Sequence, residues 1–113
     1  MYLSDAIEQG SLHTKKAIGA MFRGDGSCCA LGAACVAVGI QRADSGIEAL
    51  HSQQQLRRMF PVLNRPFPDS KDFDRQARRD NNTITNLDLI IHMNDDLDWD
   101  RIRIAEWLRD KGL

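Results

Sequence analysis

The sequence predicts a single all-α domain of five or six short helices packed around a central small-residue helix over residues 27–39. Three observations carry this. Residues 27–39 read Ser-Cys-Cys-Ala-Leu-Gly-Ala-Ala-Cys-Val-Ala-Val-Gly, the longest stretch of the chain without a charge. Apolar residues elsewhere recur at three- and four-residue spacing, the period of a helix with one buried face. No segment alternates with period two for long enough to specify a strand, so a minor β-ribbon near residues 22–27 is the only sheet structure the sequence allows.

The elements follow in order. Ser4–Gly10 reads as a short helix with Asp5 at the positive end of its dipole. Thr14–Phe22 places Ala17, Ile18, Met21 and Phe22 on one stripe, which predicts a second short helix. Arg23-Gly24-Asp25-Gly26 is turn chemistry, and its Arg-Gly-Asp triplet is read as the lead into the core helix. Ser27 is the expected N-cap of that helix, and Gly39 is the residue able to turn left-handed at its end. Gly32 costs about 1 kcal/mol against alanine in a helix, a poor choice unless Gly32, Ala33 and Ala34 together let a neighbouring backbone come close. Leu31, Ala34, Cys35 and Val38 form its predicted buried stripe.

After a polar connection over Ile40–Gly46, the stretch Ser45-Gly46-Ile47-Glu48-Ala49-Leu50 opens a helix expected to run to Met59, to turn Ile47, Leu50, Leu56 and Met59 inward and to leave His51 at the surface. Phe60-Pro61 ends it, since the residue before proline avoids the α conformation. Residues 64–83 form a polar loop, with too few apolar side chains to offset the ordering entropy, so mobility is expected there until a partner orders it. From Asn82 to Asn94, Leu87, Ile90, Ile91 and Asn94 restore helical spacing. Asp98 is the expected cap of a last helix carrying Trp99, Ile102, Ala105 and Leu108 inward and stopping at Gly112.

Composition bounds the function. The 113 residues carry 15 Lys plus Arg against 16 Asp plus Glu, a net charge of −1, so no global basic field draws nucleic acid or an anionic membrane. The longest apolar run falls far short of the roughly 20 residues of a membrane span. The first residues lack a basic and apolar leader, and all three cysteines sit on one predicted helix. Cys28 and Cys35 would lie about 10 Å apart there, beyond disulfide reach. Free thiols in a reducing cytoplasm, bacterial or of an infected host, are therefore expected, with no membrane partner.

The pattern Cys29-Ala30-Leu31-Gly32-Ala33-Ala34, then Ile91-His92-Met93-Asn94-Asp95, then Trp99-Asp100-Arg101 with Ile104-Ala105-Glu106-Trp107-Leu108, resembles a group of small bacterial and phage proteins. They share a Cys-Ala-Leu-Gly-Ala segment, a hydrophobic-x-x-Asn-Asp segment and a closing amphipathic helix. The resemblance covers most of the chain and implies an architecture, not an activity. Where members of the group carry further cysteines, this chain has Pro66-Phe67-Pro68.

No residue pattern makes a metal or cofactor site. The acidic run Asn94–Asp100 lacks the Gly at position six and Glu at position twelve of a calcium loop. The cysteines and His13, His51 and His92 show no Cys-x-x-Cys or His-x-x-x-His spacing for zinc. A thiol nucleophile is the sharper chemistry. Cys28 and Cys29 lie in the first turn of the central helix, with Cys29 the candidate nucleophile, His92 the candidate base, and Asn94 or Asp95 the candidate orienting group. Against it, Asn94 and Asp95 also read as a structural clasp, with the Asn94 amide bridging to backbone of the central helix. The expectation is a non-enzymatic accessory or inhibitor protein that binds another protein. Its contact residues would be Arg65, Phe67, Lys71, Phe73, Arg75, Arg78 and Arg79. The alternatives are a cysteine-dependent hydrolase or transferase using Cys29 and His92, and a weak nucleic-acid module using Arg57, Arg58, Arg75, Arg78 and Arg79.

Overall fold

The computed structural model describes residues 1–40, 46–66 and 85–113, with residues 46–49 described by backbone alone. Over these residues it is an all-α domain: α1 Leu3–Ser11, α2 Ala30–Val38, α3 Gly46–Met59, a 3-10 turn Pro61–Asn64, α4 Asn86–Asp95 and α5 Arg101–Asp110. α2 is the hub. Its residues Ala30 to Cys35 are all buried, and it packs against α1, α3 and α4 while α1 also packs on α5. A helix apolar on every side can only be stable in such surroundings.

Small side chains set the closeness of that packing. A Cβ added to Gly10 of α1 would lie 1.7 Å from the Ala33 carbonyl oxygen, so the α1 backbone rests directly on the α2 backbone. On another side of α2, a Cβ at Gly32 would lie 2.3 Å from the Met21 carbonyl oxygen. Around these contacts Leu31, Ile7, Leu56, Ile90, Met93, Ile104 and Leu108 fill the core.

The helix ends are set by specific bonds. Gly39 takes φ 78°, and the Ile40 N–H reaches back 2.9 Å to the Cys35 carbonyl, closing α2 with a left-handed cap. α5 ends the same way, with Gly112 at φ 78° and Leu113 N–H 2.9 Å from the Leu108 carbonyl. Thr85 caps α4, its hydroxyl accepting from the Asp88 N–H while the Asp88 carboxylate accepts from the Thr85 N–H.

Several sequence expectations are corrected. Residues 14–22 are not a helix. Ala17 N–H donates to the Cys28 carbonyl at 3.0 Å and Cys29 N–H to the Met21 carbonyl at 3.1 Å, so this irregular segment wraps around Cys28. Isolated bridges join Cys28 to Lys16 on one side and to Phe22 on the other, and no longer strand forms among the described residues. The apolar stripe was real as burial at Ala17 and Phe22, but Ile18 is exposed and Gly19 adopts φ 79°. α2 starts at Ala30 with Cys29 at its cap, not at Ser27, whose N–H and hydroxyl both bond the Asp25 carboxylate instead. Leu31, Ala34 and Cys35 are buried as their spacing requires, while Val38 is half-buried. Leu50 and Met59 of α3 face outward, and Ile47 lies outside the described side chains.

α5 buries Arg101, Ile104, Ala105 and Leu108, whereas Trp99 and Ile102 are half-buried. Successive steps of three slip about 60° each, so an i, i+3, i+6, i+9 series leaves its face, while i, i+3, i+4, i+7 holds it. Asp98 is not the cap; Asp100 occupies that position, and Asp98 takes φ 53°. Of the predicted polar loop, only residues 64–66 are described, and all three are exposed.

Two substitutions test the hub. Leu31→Ala is expected to cost about 2–5 kcal/mol. Gly10→Ala is expected to cost about 1–3 kcal/mol or more, because the added methyl meets backbone that must shift. Urea unfolding midpoints measure both; an unchanged midpoint for either would remove α2 from the centre of the core.

Candidate functional site

Two residues singled out by the sequence, Asn94 and Asp95, lie where α4 and α5 grip the irregular segment between α1 and α2. Asn94, fully buried near the end of α4, makes three bonds. Its Oδ1 accepts from the Ala30 N–H at 3.2 Å, and its Nδ2 donates to the Ala17 carbonyl at 2.9 Å and to Asp95 Oδ1 at 2.8 Å. Ala30 is the first residue of α2, where backbone donors have no partner inside the helix. A side chain 64 positions away thus does the work of a local cap. Asp95 Oδ1 also accepts from the Gly19 N–H at 3.0 Å, which ties the same segment down a second time.

Arg101 supplies the other grip, and sequence reasoning missed it. Its residue is 5 % exposed, and it forms no ion pair among the described residues. Nη2 donates to the Ser11 carbonyl at 3.2 Å and the Thr14 carbonyl at 2.6 Å; Nη1 donates to Thr14 Oγ1 at 2.6 Å and lies 3.5 Å from Cys28 Sγ. Ser11 closes α1, so the cation sits at the negative end of that helix dipole, which compensates part of its desolvation. The signal was present in the sequence: Arg101 opens the i, i+3, i+4, i+7 stripe completed by Ile104, Ala105 and Leu108.

The thiol constellation has a different geometry from that of a nucleophile and its base. Cys29 is buried, and burial pushes its thiol from an ordinary 9.0 up to about 11, against the opposing pull of the Gly32 and Leu31 N–H groups. Desolvation here outweighs the helix N-terminus. Burial likewise pushes Cys35 up to about 12. His92 faces Asp96, Nδ1 to Oδ2 2.7 Å, while its Nε2 is buried without a partner. No hydrogen bond joins Cys29 to His92 among the described residues, and the Asn94 amide is occupied by Ala30, Ala17 and Asp95. Among the described residues no three His, Cys, Asp or Glu side chains are grouped to hold a metal ion, and no helix is long and apolar enough to cross a membrane.

On the opposite side of the molecule lies an open groove of about 280 Å³. Tyr2 and Leu3 at the start of α1, Leu113 beyond α5, and Met59, Pro61 and Arg65 at the α3 end line it. Met1, Tyr2 and Met59 there are 71 %, 64 % and 52 % exposed, an unusual concentration of large apolar side chains in water. Arg65 is the one predicted contact residue that the structure describes, and it stands in this groove. Phe67, Lys71, Phe73, Arg75, Arg78 and Arg79 lie outside the described residues. Arg58 is exposed and Arg57 half-exposed in the last turn of α3. Met1, Tyr2 and Leu113 were not anticipated, because each is unremarkable until the two ends of the chain come together, with Ser4 N–H and Oγ donating to the Leu113 carbonyl.

Compared with known proteins, the chain matches no family model, no curated protein and no solved structure.

Two outcomes are expected. Asn94→Ala leaves the Ala30 N–H and the Ala17 carbonyl unpaired, at about 1–3 kcal/mol for each group, so thermal melts should show a large loss of stability. Asn94→Asp keeps the acceptor for Ala30 but sets a carboxylate against the Ala17 carbonyl and Asp95; it should destabilise at neutral pH and recover in part on acidification. The thiols predict an alkaline limb. The folded pKa values of Cys29 and Cys35 are raised, so these two cost nothing below pH 9, and above it the unfolded chain releases protons that the folded chain keeps. Stability should then fall by about 1.4 kcal/mol per pH unit for each thiol. Unfolding midpoints between pH 8 and 10.5 should drop less steeply in Cys35→Ala than in the parent, and equal slopes would contradict the buried-thiol account.

Proposed function

We propose that the protein is a small non-enzymatic binding protein, of the bacterial or phage accessory type that its motifs resemble, acting in the cytoplasm by engaging or inhibiting another protein. The observation that carries this reading is the groove beside Arg65. It gathers exposed Met1, Tyr2 and Met59 on a rigid frame, and methionine and tyrosine are side chains suited to protein contact. The chemistry of the thiols supports the same side. A buried Cys29 held as a neutral thiol is a packing element with little nucleophilic character at neutral pH.

The frame behind the groove is fixed by bonds that a binding surface needs. Asn86 of α4 donates its N–H to the Arg65 carbonyl at 3.0 Å and its side-chain amide to the Val62 carbonyl at 2.9 Å. These hold the 3-10 turn against α4, so ordering it on binding costs little.

A photo-crosslinking residue placed at Tyr2 or Met59 tests the reading in the producing cell. Discrete protein adducts are expected at both positions, and none at Glu106, which is exposed on α5 away from the groove residues. Adducts that are equal at Glu106, or absent at Tyr2 and Met59, would overturn it. A thiol reagent provides the enzymatic counter-test: Cys29 should label only as the protein unfolds, and rapid stoichiometric labelling at pH 7 would favour the hydrolase alternative.

A further inference from the structure

The α3 side of the groove is unbalanced in charge. From Leu50 to Pro66 the sequence holds Arg57, Arg58, Arg65 and His51 and no carboxylate. Arg58 and Arg65 are exposed, and none of the three arginines forms an ion pair among the described residues. The Arg57 Nε is buried without an acceptor. On α1, by contrast, the acids are already used, Asp5 and Glu8 lying 3.1 and 2.6 Å from Arg109. Among the groove's lining residues Arg65 carries the cation, and it forms no ion pair among the described residues; Arg58 stands exposed one residue before Met59, which also lines the groove.

We infer that its occupant is an acidic amphipathic segment of another protein; this rests on the groove being the contact surface. An apolar side chain of that segment lodges between Tyr2 and Met59, and its carboxylates meet Arg65 and Arg58. The guanidinium fork pairs with a carboxylate through two parallel N–H bonds, so it selects for acid by geometry as well as charge. A basic segment meets like charge along the same rim. A second copy of this chain is disfavoured too, because a two-fold contact through one groove brings its two basic rims together. Nucleic acid would satisfy the arginines, yet it leaves the exposed Met1 and Met59 without an apolar partner and meets a chain of net charge −1.

A displayed random-peptide library panned on the intact protein tests this, with an Arg58→Glu/Arg65→Glu double variant as comparison. Both side chains are exposed, so the variant should melt with the parent. Enriched peptides are expected to combine Asp or Glu with an aliphatic or aromatic anchor, to lose about tenfold or more in affinity on the double variant, and to regain it when their acids are exchanged for Lys. Neutral or basic winners, affinity indifferent to the double variant, displacement by an oligonucleotide that binds more tightly, or self-association through the groove would each overturn the inference. The two claims fail separately: crosslinks at Tyr2 to a basic segment leave the binding reading standing and sink this one, whereas a library with no winners together with no adducts removes both.

Discussion

The structure depends on one buried amide. Asn94 is 0 % exposed and joins three separate parts of the chain: the end of α4 on which it sits, the first backbone donor of α2, and the Ala17 carbonyl in the irregular segment between α1 and α2. A primary amide suits this position because it offers a donor and an acceptor without a charge. Carboxylate or alkyl in its place would leave at least one main-chain group unpaired in the interior, where such groups are most costly. The start of α2 follows from it. The helix begins at Ala30 because Asn94 accepts from that residue's N–H, while Ser27 is engaged with Asp25.

Polar bonds matter here because residues 12–29 form no helix and cannot stabilise themselves locally. Apolar burial secures this segment only at points such as Ala17 and Phe22. Elsewhere side-chain bonds tie it to the α4–α5 corner: Asp95 on Gly19, Lys16 on Asp98 at 2.6 Å and on the Trp99 carbonyl at 2.8 Å, and Arg101 on Thr14 and on Ser11 at the end of α1. The exposed Lys16–Asp98 pair contributes little by itself, as surface ion pairs do. Arg101 is different: shielded from water and bonded to carbonyls of two elements, it cannot be removed without leaving several acceptors unsatisfied. The cysteines lie inside this framework, which is why a helix N-terminus that could have activated Cys29 instead sequesters it. The same framework leaves an open groove at the far ends of α1 and α5, where the chain ends and the α3 turn meet.

The helices were legible wherever one physical rule dominates. Gly39 and Gly112 stop α2 and α5 because left-handed backbone suits glycine, and Pro61 ends α3 because the residue before proline leaves the α region. The small residues of α2 announced a close neighbour, though not that the neighbour would be Gly10. Legibility failed where tertiary bonds override local pattern. Thr14–Phe22 has helical spacing, yet its donors find better partners in Cys28 and the α4–α5 corner. Arg101 was hidden by the ordinary expectation that charge faces water, and the groove by its assembly from both ends of the chain. The clasp role of Asn94 could be written down from its place at a helix end next to Asp95. That it would bridge to backbone of the central helix could be expected too, but not that the donor would be Ala30, nor that Ala17 would be the second partner, since these lie 64 and 77 positions away.

The most direct measurement of the central claim is native-state hydrogen exchange at the Ala30 amide. A first-turn helix N–H normally has no partner inside its helix and exchanges quickly through fraying. If Asn94 holds it, Ala30 should exchange only when the whole domain unfolds, with the same opening free energy and denaturant dependence as core amides such as Ala33 and Leu89. Fast exchange at Ala30 beside slow exchange at those two would contradict the account, because α2 would then begin without the bond on which the rest is built.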